Sequence, residues 1–495
     1  MNNNKIAFIT CVKNVEQYER MIKYIQALIV PVSYYVEIIT ITEEINIALA
    51  YNQAINVTDA KYKIYINEEV YITNNSFIED FINIFKENPK IGMLGMAGTK
   101  VIPTTAICLN SRKRCGKIYG KNGSIIEWDE IEGDIETVEA IDGFIMITQY
   151  DVFWREDLFK GSSYYDVAHN IEFKKNGYDV AVIKQELPWC QFLESDYEYE
   201  EVDRQKFLDE YSKDIFPLVS ILIPTYNRPE YFEIALKSAL TQTYRNIEVV
   251  IGDGSDNNDT KILMEKYKED KRISYFHNRF LEYDDLSDSI HKRWEKIFND
   301  SNGEYINWLM DDDCFHKEKI EKMINFYLEY ENITLVTSHR QIIDDKGNFM
   351  NDIDATNPIC EQTTIFPGSL IGKEMLKNIT NFIGEPTTVL IKKSNLKDGY
   401  YTRYLDYKFK MLFDVNYWLE LLNKGNCVYI CETLSYFRIH AEQAQNSIMG
   451  PLAGLLDWHN FIWLSYNAKK FLLTEEDYKI SLKNINEKFS QTIFM

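Results

Sequence analysis

The chain has 495 residues, 45% hydrophobic and 26% charged, and its 76 acidic against 54 basic side chains give a formal net charge of −22. Such a length exceeds one ordinary core and calls for two or three domains, and the composition excludes a globally disordered chain. The acidic balance disfavours nucleic acid and gives no support for contact with an anionic membrane, although a metal or a local basic group would let such a chain bind a nucleotide. The eight cysteines form no CxxC pair and no Cys/His zinc spacing, so they read as reduced thiols. No apolar run reaches the roughly 20 residues of a membrane span, and Met1-Asn-Asn-Asn-Lys5 runs straight into strand-like sequence without room for a signal peptide. A cytoplasmic protein without a transmembrane segment is expected, and self-association stays open.

From Ile6 to about Gln191 strand-like and helix-like pieces alternate. Ile6–Thr10, Val36–Thr42, Lys61–Ile66, Ile91–Ala97 and Ile141–Thr148 are expected strands. Tyr18–Leu28, Glu44–Ile55, Ser76–Lys86 and Tyr164–Asn176 are expected helices, and Val101–Glu136 is expected to be loop-rich. This alternation implies a largely parallel α/β sheet. Residues 193–216 change character to an acidic run followed by a short helix, read as a linker. A second α/β unit follows, with strands Val219–Thr225, Ile247–Ile251 and Ile273–Phe276 and helices Pro229–Leu240, Thr260–Tyr267 and Leu286–Phe298. Leu452–Leu472 and Glu475–Phe489 are helix-like, with apolar positions suited to packing on the preceding domain.

Three loops of the second unit carry chemistry. Pro224-Thr225-Tyr226-Asn227-Arg228-Pro229 joins a strand end to a helix start and offers backbone N–H groups to a phosphate or a base. Gly252-Asp253-Gly254-Ser255 ends the next strand. Its glycines admit a ligand close to the backbone, and its carboxylate can accept a uracil imide or ribose hydroxyls, although an Asx turn would look the same. Glu304-Tyr-Ile-Asn-Trp-Leu-Met-Asp311-Asp312-Asp313 is a buried-strand pattern that ends in three carboxylates before a helix, a position suited to a divalent cation holding a polyphosphate; a solvated acidic turn is the plainer alternative.

The units also look like an internal repeat. Asn67-Glu68-Glu69 answers Asp311-Asp312-Asp313, and Asp166-Val-Ala-His-Asn-Ile-Glu answers Asp414-Val-Asn-Tyr-Trp418-Leu-Glu, at nearly equal separations along the chain.

Together the order Pro-Thr-Tyr-Asn-Arg, Gly-Asp-Gly-Ser, Leu-Met-Asp-Asp-Asp resembles the family 2 glycosyltransferases of the GT-A fold. The resemblance covers roughly Pro217 to Ser447. It implies nucleotide binding by Thr225, Tyr226, Asn227, Arg228, Asp253, Gly254, Asp311 and Asp312, and a Mn²⁺ or Mg²⁺ ion on Asp313 with His440 completing its shell. It further implies a catalytic base at Asp414, with Glu385 of Gly384-Glu385-Pro386-Thr387 as the rival base, and an acceptor side holding Trp418 and Arg438. The first unit departs at Asn67-Glu68-Glu69 and at Thr40-Ile-Thr-Glu43. It keeps Ala140-Ile-Asp142-Gly143 and Asp166, and resembles the degenerate GT-A domain of StrF-like proteins.

The expectation is therefore two Rossmann-like, mainly parallel α/β domains of GT-A type in tandem plus a C-terminal helical extension. Their bounds are 1–192 for a scaffold or acceptor-positioning domain, 193–216 for the linker, 217–447 for the catalytic domain and 448–495 for the extension. The expected activity is inverting, metal-dependent transfer of a sugar, GlcNAc or another hexose, from a UDP-linked donor to a hydroxyl of a protein such as flagellin or of a glycan. Three alternatives stand beside it: a polymerase with both units active, a sugar-nucleotide-binding module without turnover, and a nucleotidyltransferase. The last requires a glycine-rich phosphate loop where this chain has Pro-Thr-Tyr-Asn.

Overall fold

Continuous runs of β-branched and aromatic residues with both faces covered make the central strands, and parallel strands of that kind need helices on each side. The computed structural model describes residues 1–42, 46–161, 163–193, 199–277, 286–396, 403–405, 407–409, 411–440 and 450–493. Glu43, the first acids of the 193–216 run and the 447/448 boundary lie outside them. Contacts divide the chain into Met1–Ile215 and Phe216–Met495.

In the first unit the main sheet runs Tyr35–Ile41, Asn2–Cys11, Ala60–Ile66, Ile145–Thr148, Ile91–Gly95, Asp179–Ile183, Ile135–Thr137. The first three strands are parallel, Ile145–Thr148 is antiparallel to both its neighbours, and Asp179–Ile183 is again parallel to Ile91–Gly95. The helices Val15–Gln26, Ile47–Val57, Phe77–Glu87 and Tyr165–Lys175 follow the expected order. The stretch expected to be loop-rich contains three short strands, Arg114–Tyr119, Ile125–Glu127 and Ile135–Thr137. Arg114–Tyr119 pairs with Ala97–Thr99 and Cys190–Phe192, Ile125–Glu127 with Arg114–Tyr119, and Ile135–Thr137 with Asp179–Ile183, so pairing rather than a local apolar pattern forms them.

From Glu201 to Ile215 the expected linker is a helix that belongs to the first unit. Phe207, Leu208 and Tyr211 are buried, and Arg155–Glu210 at 2.7 Å and Lys175–Asp214 at 3.0 Å tie its acids down. Composition reads such a stretch as solvated, whereas the docked face is set by three apolar side chains.

The sheet of the second unit runs Ile273–His277, Ile247–Asp253, Val219–Thr225, Tyr305–Trp308, Leu390–Lys392, Ile333–Ile343, Asn426–Arg438, Cys314–Phe315. The directions repeat those of the first unit: parallel up to Tyr305–Trp308, antiparallel on either side of Leu390–Lys392, and parallel between Ile333–Ile343 and Asn426–Arg438. One difference matters for function. Between Ile247–Asp253 and Tyr305–Trp308 the second unit inserts a helix Asp259–Met264, the strand Ile273–His277 and the helix Leu286–Asp300; at that place the first unit has, among the described residues, one helix, Ile47–Val57.

Chain order reverses at Val219–Thr225, which is flanked by the next strand on one side and by Tyr305–Trp308 on the other. Crevices for ligands open at the carboxyl ends of strands at such a reversal. The helices Gly450–Asn467 and Glu475–Ile493 and the turn between them complete the unit, placing Leu455, Trp458, Phe461, Ile462, Leu472 and Ile485 in the same core as Trp418 and Leu422. Among the described residues no helix is long and apolar enough to cross a membrane.

Candidate functional site

Three strand ends meet at the reversal point. Val219–Thr225 delivers Thr225, buried beside Asp311, and the loop Tyr226–Arg228. Asn227 takes φ 53°, a left-handed conformation that asparagine tolerates, and this turns its N–H onto Ser255 Oγ at 2.9 Å while its Oδ1 accepts from Asp256 N at 3.0 Å. Tyr226 donates its hydroxyl to Asp256 at 2.6 Å. The first two loops are thus clasped together, and Gly254 N donates to Thr225 O at 2.9 Å between them.

Asp253 is fully buried. Its Oδ1 accepts from Ser255 N at 2.8 Å and its Oδ2 from the Tyr275 hydroxyl at 2.7 Å. A Cβ on Gly254 would fall within the Arg293 guanidinium, so Arg293, from the inserted helix, lies flat against that glycine. Burial pulls Arg293 below its ordinary pKa, against the opposing charges of Asp253, Tyr226 and Asp256. Tyr275 and Arg293 are site residues absent from the motif reading, whereas Asp256 lies within the stretch Gly252-Asp253-Gly254-Ser255-Asp256-Asn257. Arg293 alone left a signal: by spacing it falls between Ile290 and Ile297 on the apolar side of its helix, where a charge is out of place.

The three aspartates differ in environment. Asp311 accepts from Tyr226 N at 3.2 Å, and burial together with the charge of Asp312 pushes it up to about 6. Asp312 accepts from Arg228 at 3.1 Å and meets His440 Nε2 at 2.9 Å on the same oxygen. Asp313 is 1% exposed, with Oδ2 taken by the Thr387 hydroxyl at 2.6 Å and Oδ1 by Arg438 N at 3.0 Å. Burial first and Asp312 second raise it well above the carboxylate range. Among the described residues no three His, Cys, Asp or Glu side chains converge on one point. The pair that does share a point is Asp312 and His440, an oxygen and an imidazole nitrogen; that donor set fits an ion completed by phosphate oxygens, as Mg²⁺ sites commonly are.

Arg438, expected on the acceptor side, is a buried strut. Its Nε donates to Asp312 O at 2.8 Å and its Nη1 to Asp344 O at 2.9 Å, and the guanidinium lies 5.1 Å from the Tyr231 ring centre. Trp418 is likewise buried, its indole N–H donating to Gly384 O at 2.9 Å. Both side chains shape the site from behind.

Asp414 opens the helix Phe413–Leu422 and is partly exposed. Asn381 Nδ2 donates to it at 2.8 Å and also reaches Gly384 O at 3.0 Å. Burial, and next the Glu385 charge, push Asp414 up to about 7 against the backbone N–H groups of the helix start. Glu385 is paired with Arg340 at 2.7 Å, and its charge also acts on Asp313. Contacts therefore run without a break from the Asp253 loop through Asp311–Asp313 and Thr387 to Glu385 and Asp414. The helix start itself is held by Asp457 of the C-terminal helix Gly450–Asn467, whose buried carboxylate accepts from Met411 N at 2.8 Å and Leu412 N at 3.1 Å.

The chain is similar to known proteins. Residues 7–211 match a model described as a glycosyltransferase-like family, and residues 220–398 match glycosyl transferase family 2. Asp253, Asp311–Asp313 and Glu385 fall inside the second match, and Asp414, Trp418, Arg438 and His440 fall beyond it. An uncharacterized glycosyltransferase of Rickettsia felis is 28% identical over 264 residues, which make up 53% of this chain. This chain spans only 39% of that relative's length. The putative teichuronic acid biosynthesis glycosyltransferase TuaG of Bacillus subtilis is 28% identical over 230 residues, 45% of this chain and 79% of its own. The crystal structure of S. aureus TarS 1-349 in complex with UDP-GlcNAc is 17% identical with a TM-score of 0.40, covering 55% of this chain and 72% of that one.

Proposed function

Since residues 220–398 belong to glycosyl transferase family 2 and residues 7–211 to a glycosyltransferase-like family, we propose that the second unit moves a hexose from a UDP-linked donor to a hydroxyl of a protein or glycan acceptor, inverting the anomeric carbon. The observation that carries this reading is Asp414: a carboxylate at a helix start, raised to about 7 and partly exposed, joined by unbroken contacts to the loops of Asp253 and Asp311.

Asp253, Tyr275 and Arg293 receive the base and ribose, and the Arg228 guanidinium, which meets Asp312, faces the diphosphate. The acceptor oxygen attacks the anomeric carbon as its proton passes to an Asp414 oxygen. The bond from that carbon to the diphosphate oxygen breaks, and the electron pair leaves on the nucleoside diphosphate. Arg340 pairs with Glu385 beside Asp414, and Asn381 orients the accepting carboxylate. Asp312 and His440 would hold a Mn²⁺ or Mg²⁺ ion, which would supply positive charge to the departing diphosphate. Asp313, engaged by Thr387 and Arg438, sets the loop that presents Asp312.

Hydrolysis of UDP-, GDP- and dTDP-hexoses by the full chain with Mn²⁺, with and without EDTA, tests the reading. Turnover of a UDP-sugar that EDTA abolishes is expected. No turnover of any donor overturns the transfer reading, and turnover indifferent to EDTA overturns its metal.

A further inference from the structure

The arrangement around Asp414 has a counterpart in the first unit that the proposed transfer does not use. Asp166 lies in the first turn of Tyr165–Lys175 as Asp414 lies in that of Phe413–Leu422. Four residues on, Asn170 accepts from Ile141 N at 2.9 Å and donates to Asp166 O at 2.8 Å, pinning the segment that carries Asp142. Trp418 pins Gly384, next to Glu385, from the same helical position. Asp142 is paired with a buried arginine, Arg114, at 2.5 Å, as Glu385 is with Arg340. The two arginines come from different places in the repeat, Arg114 from the strand Arg114–Tyr119 and Arg340 from Ile333–Ile343, so the pairing is reached twice by separate routes.

Two further observations point to a ligand. The Tyr164 hydroxyl and Arg114 Nε are both buried, and neither has a hydrogen-bonding partner among the described residues, a costly state for polar groups. Tyr164, whose hydroxyl is pushed up by burial against the opposing charge of Arg204, is held at φ 62°, a strained conformation for a tyrosine. Tyr199 stands edge-on to it, with ring centres 5.6 Å apart, close to Asp142 and Asp166 and 36% exposed. A nucleotide does not suit this unit. Glu68 takes the N–H groups of Lys13 and Asn14 at 2.7 and 2.8 Å in the loop after the first strand, and among the described residues nothing answers the insertion that supplies Tyr275 and Arg293.

We propose that Asp142, Asp166, Arg114, Tyr164 and Tyr199 bind one hydroxylated sugar ring of the acceptor glycan, without a nucleotide and without turnover. The carboxylates accept its hydroxyls, Arg114 Nε and the Tyr164 hydroxyl donate to its oxygens, and Tyr199 covers its apolar face. That the ring belongs to the acceptor rests on the transfer reading; that the site binds a sugar does not.

Saturation-transfer NMR on the full chain, with free glucose, galactose and N-acetylglucosamine as probes, tests it in an Asp414→Asn background that weakens the pocket of the second unit. At least one sugar should keep its signal in D414N and lose it about tenfold when either Asp166→Asn or Tyr199→Ala is added, with UDP binding unchanged. Tyr199 lies at the surface, so its variant folds even where the buried one does not, and UDP binding reports on folding. No signal from any sugar, a signal lost in D414N alone, or one untouched by both added substitutions overturns the proposal. A chain that binds sugar in this way yet hydrolyses no nucleotide-sugar overturns the transfer reading and leaves this site standing.

Discussion

Asp414 is the residue on which activity and stability pull in opposite directions. Burial raises it to about 7, so the folded protein holds a proton that the unfolded chain has released near 3.9. Between those values the native state binds more protons, and this group lowers stability as pH rises. Asp414→Asn is expected to cut kcat by about 10²–10⁴ with little change in donor KM, and to raise Tm at pH 8; the wild-type rate should climb through pH 7 as the base ionises. Steady-state kinetics against pH and thermal melts of both proteins check this, and a D414N with wild-type kcat hands the base role to Glu385. Arg293 acts on binding instead. Arg293→Gln should raise donor KM about tenfold or more, since a charge-assisted bond is worth roughly 1.5–3 kcal/mol, and leave kcat nearly unchanged. Gly254→Ala should have the same effect by displacing the guanidinium, and the double variant should add nothing further. Isothermal titration with UDP measures all three. The carboxylates of the motifs were legible because a strand of apolar residues does not end in acids without a task. Their division of labour was not, since Thr387 on Asp313 and His440 on Asp312 are contacts between residues distant in sequence.

At the level of elements, strands and helices emerge from the sequence close to their final bounds. Val219–Thr225 and Pro229–Leu240 are found as expected, the first because a strand buried on both faces leaves an unbroken apolar run, the second because Pro229 can stand only at a helix start. Strands such as Arg114–Tyr119 were missed, because their residues gain a partner only once distant segments have met. The C-terminal helices were expected to pack on the preceding domain, and they do, but no local pattern hinted that Asp457 caps the segment leading into Phe413–Leu422. Asp457→Ala strands two backbone N–H groups and should cost about 1–3 kcal/mol, lowering Tm by several degrees. It should also lower kcat more than donor KM, because the start of the Asp414 helix loosens while the nucleotide loops are untouched. Denaturant melts and kinetics separate the two effects, and a fall in stability without any fall in kcat removes Asp457 from the support of the site.

Across the whole molecule, one sheet plan is used twice and furnished differently. Among the described residues both units share the order and direction of their central strands, yet the insertion with Tyr275 and Arg293 belongs to the second, and in the first Glu68 holds the loop after the first strand. Glu68→Gln with Glu69→Gln should therefore leave UDP-sugar turnover within about twofold of wild type while lowering Tm, as charge-assisted bonds to Lys13 and Asn14 are weakened. A loss of turnover that melting does not explain would revive the reading in which both units transfer sugars. By itself the sequence determined that there are two α/β units, that they repeat, and which strand ends carry acids, because burial periodicity and turn residues are local properties of the chain. Only the tertiary structure decided which acids are buried, which cation each one meets and how high Asp414 and Asp166 are pushed. Desolvation and ion pairing depend on what the folded chain brings within a few ångströms, and no spacing along the sequence encodes that distance.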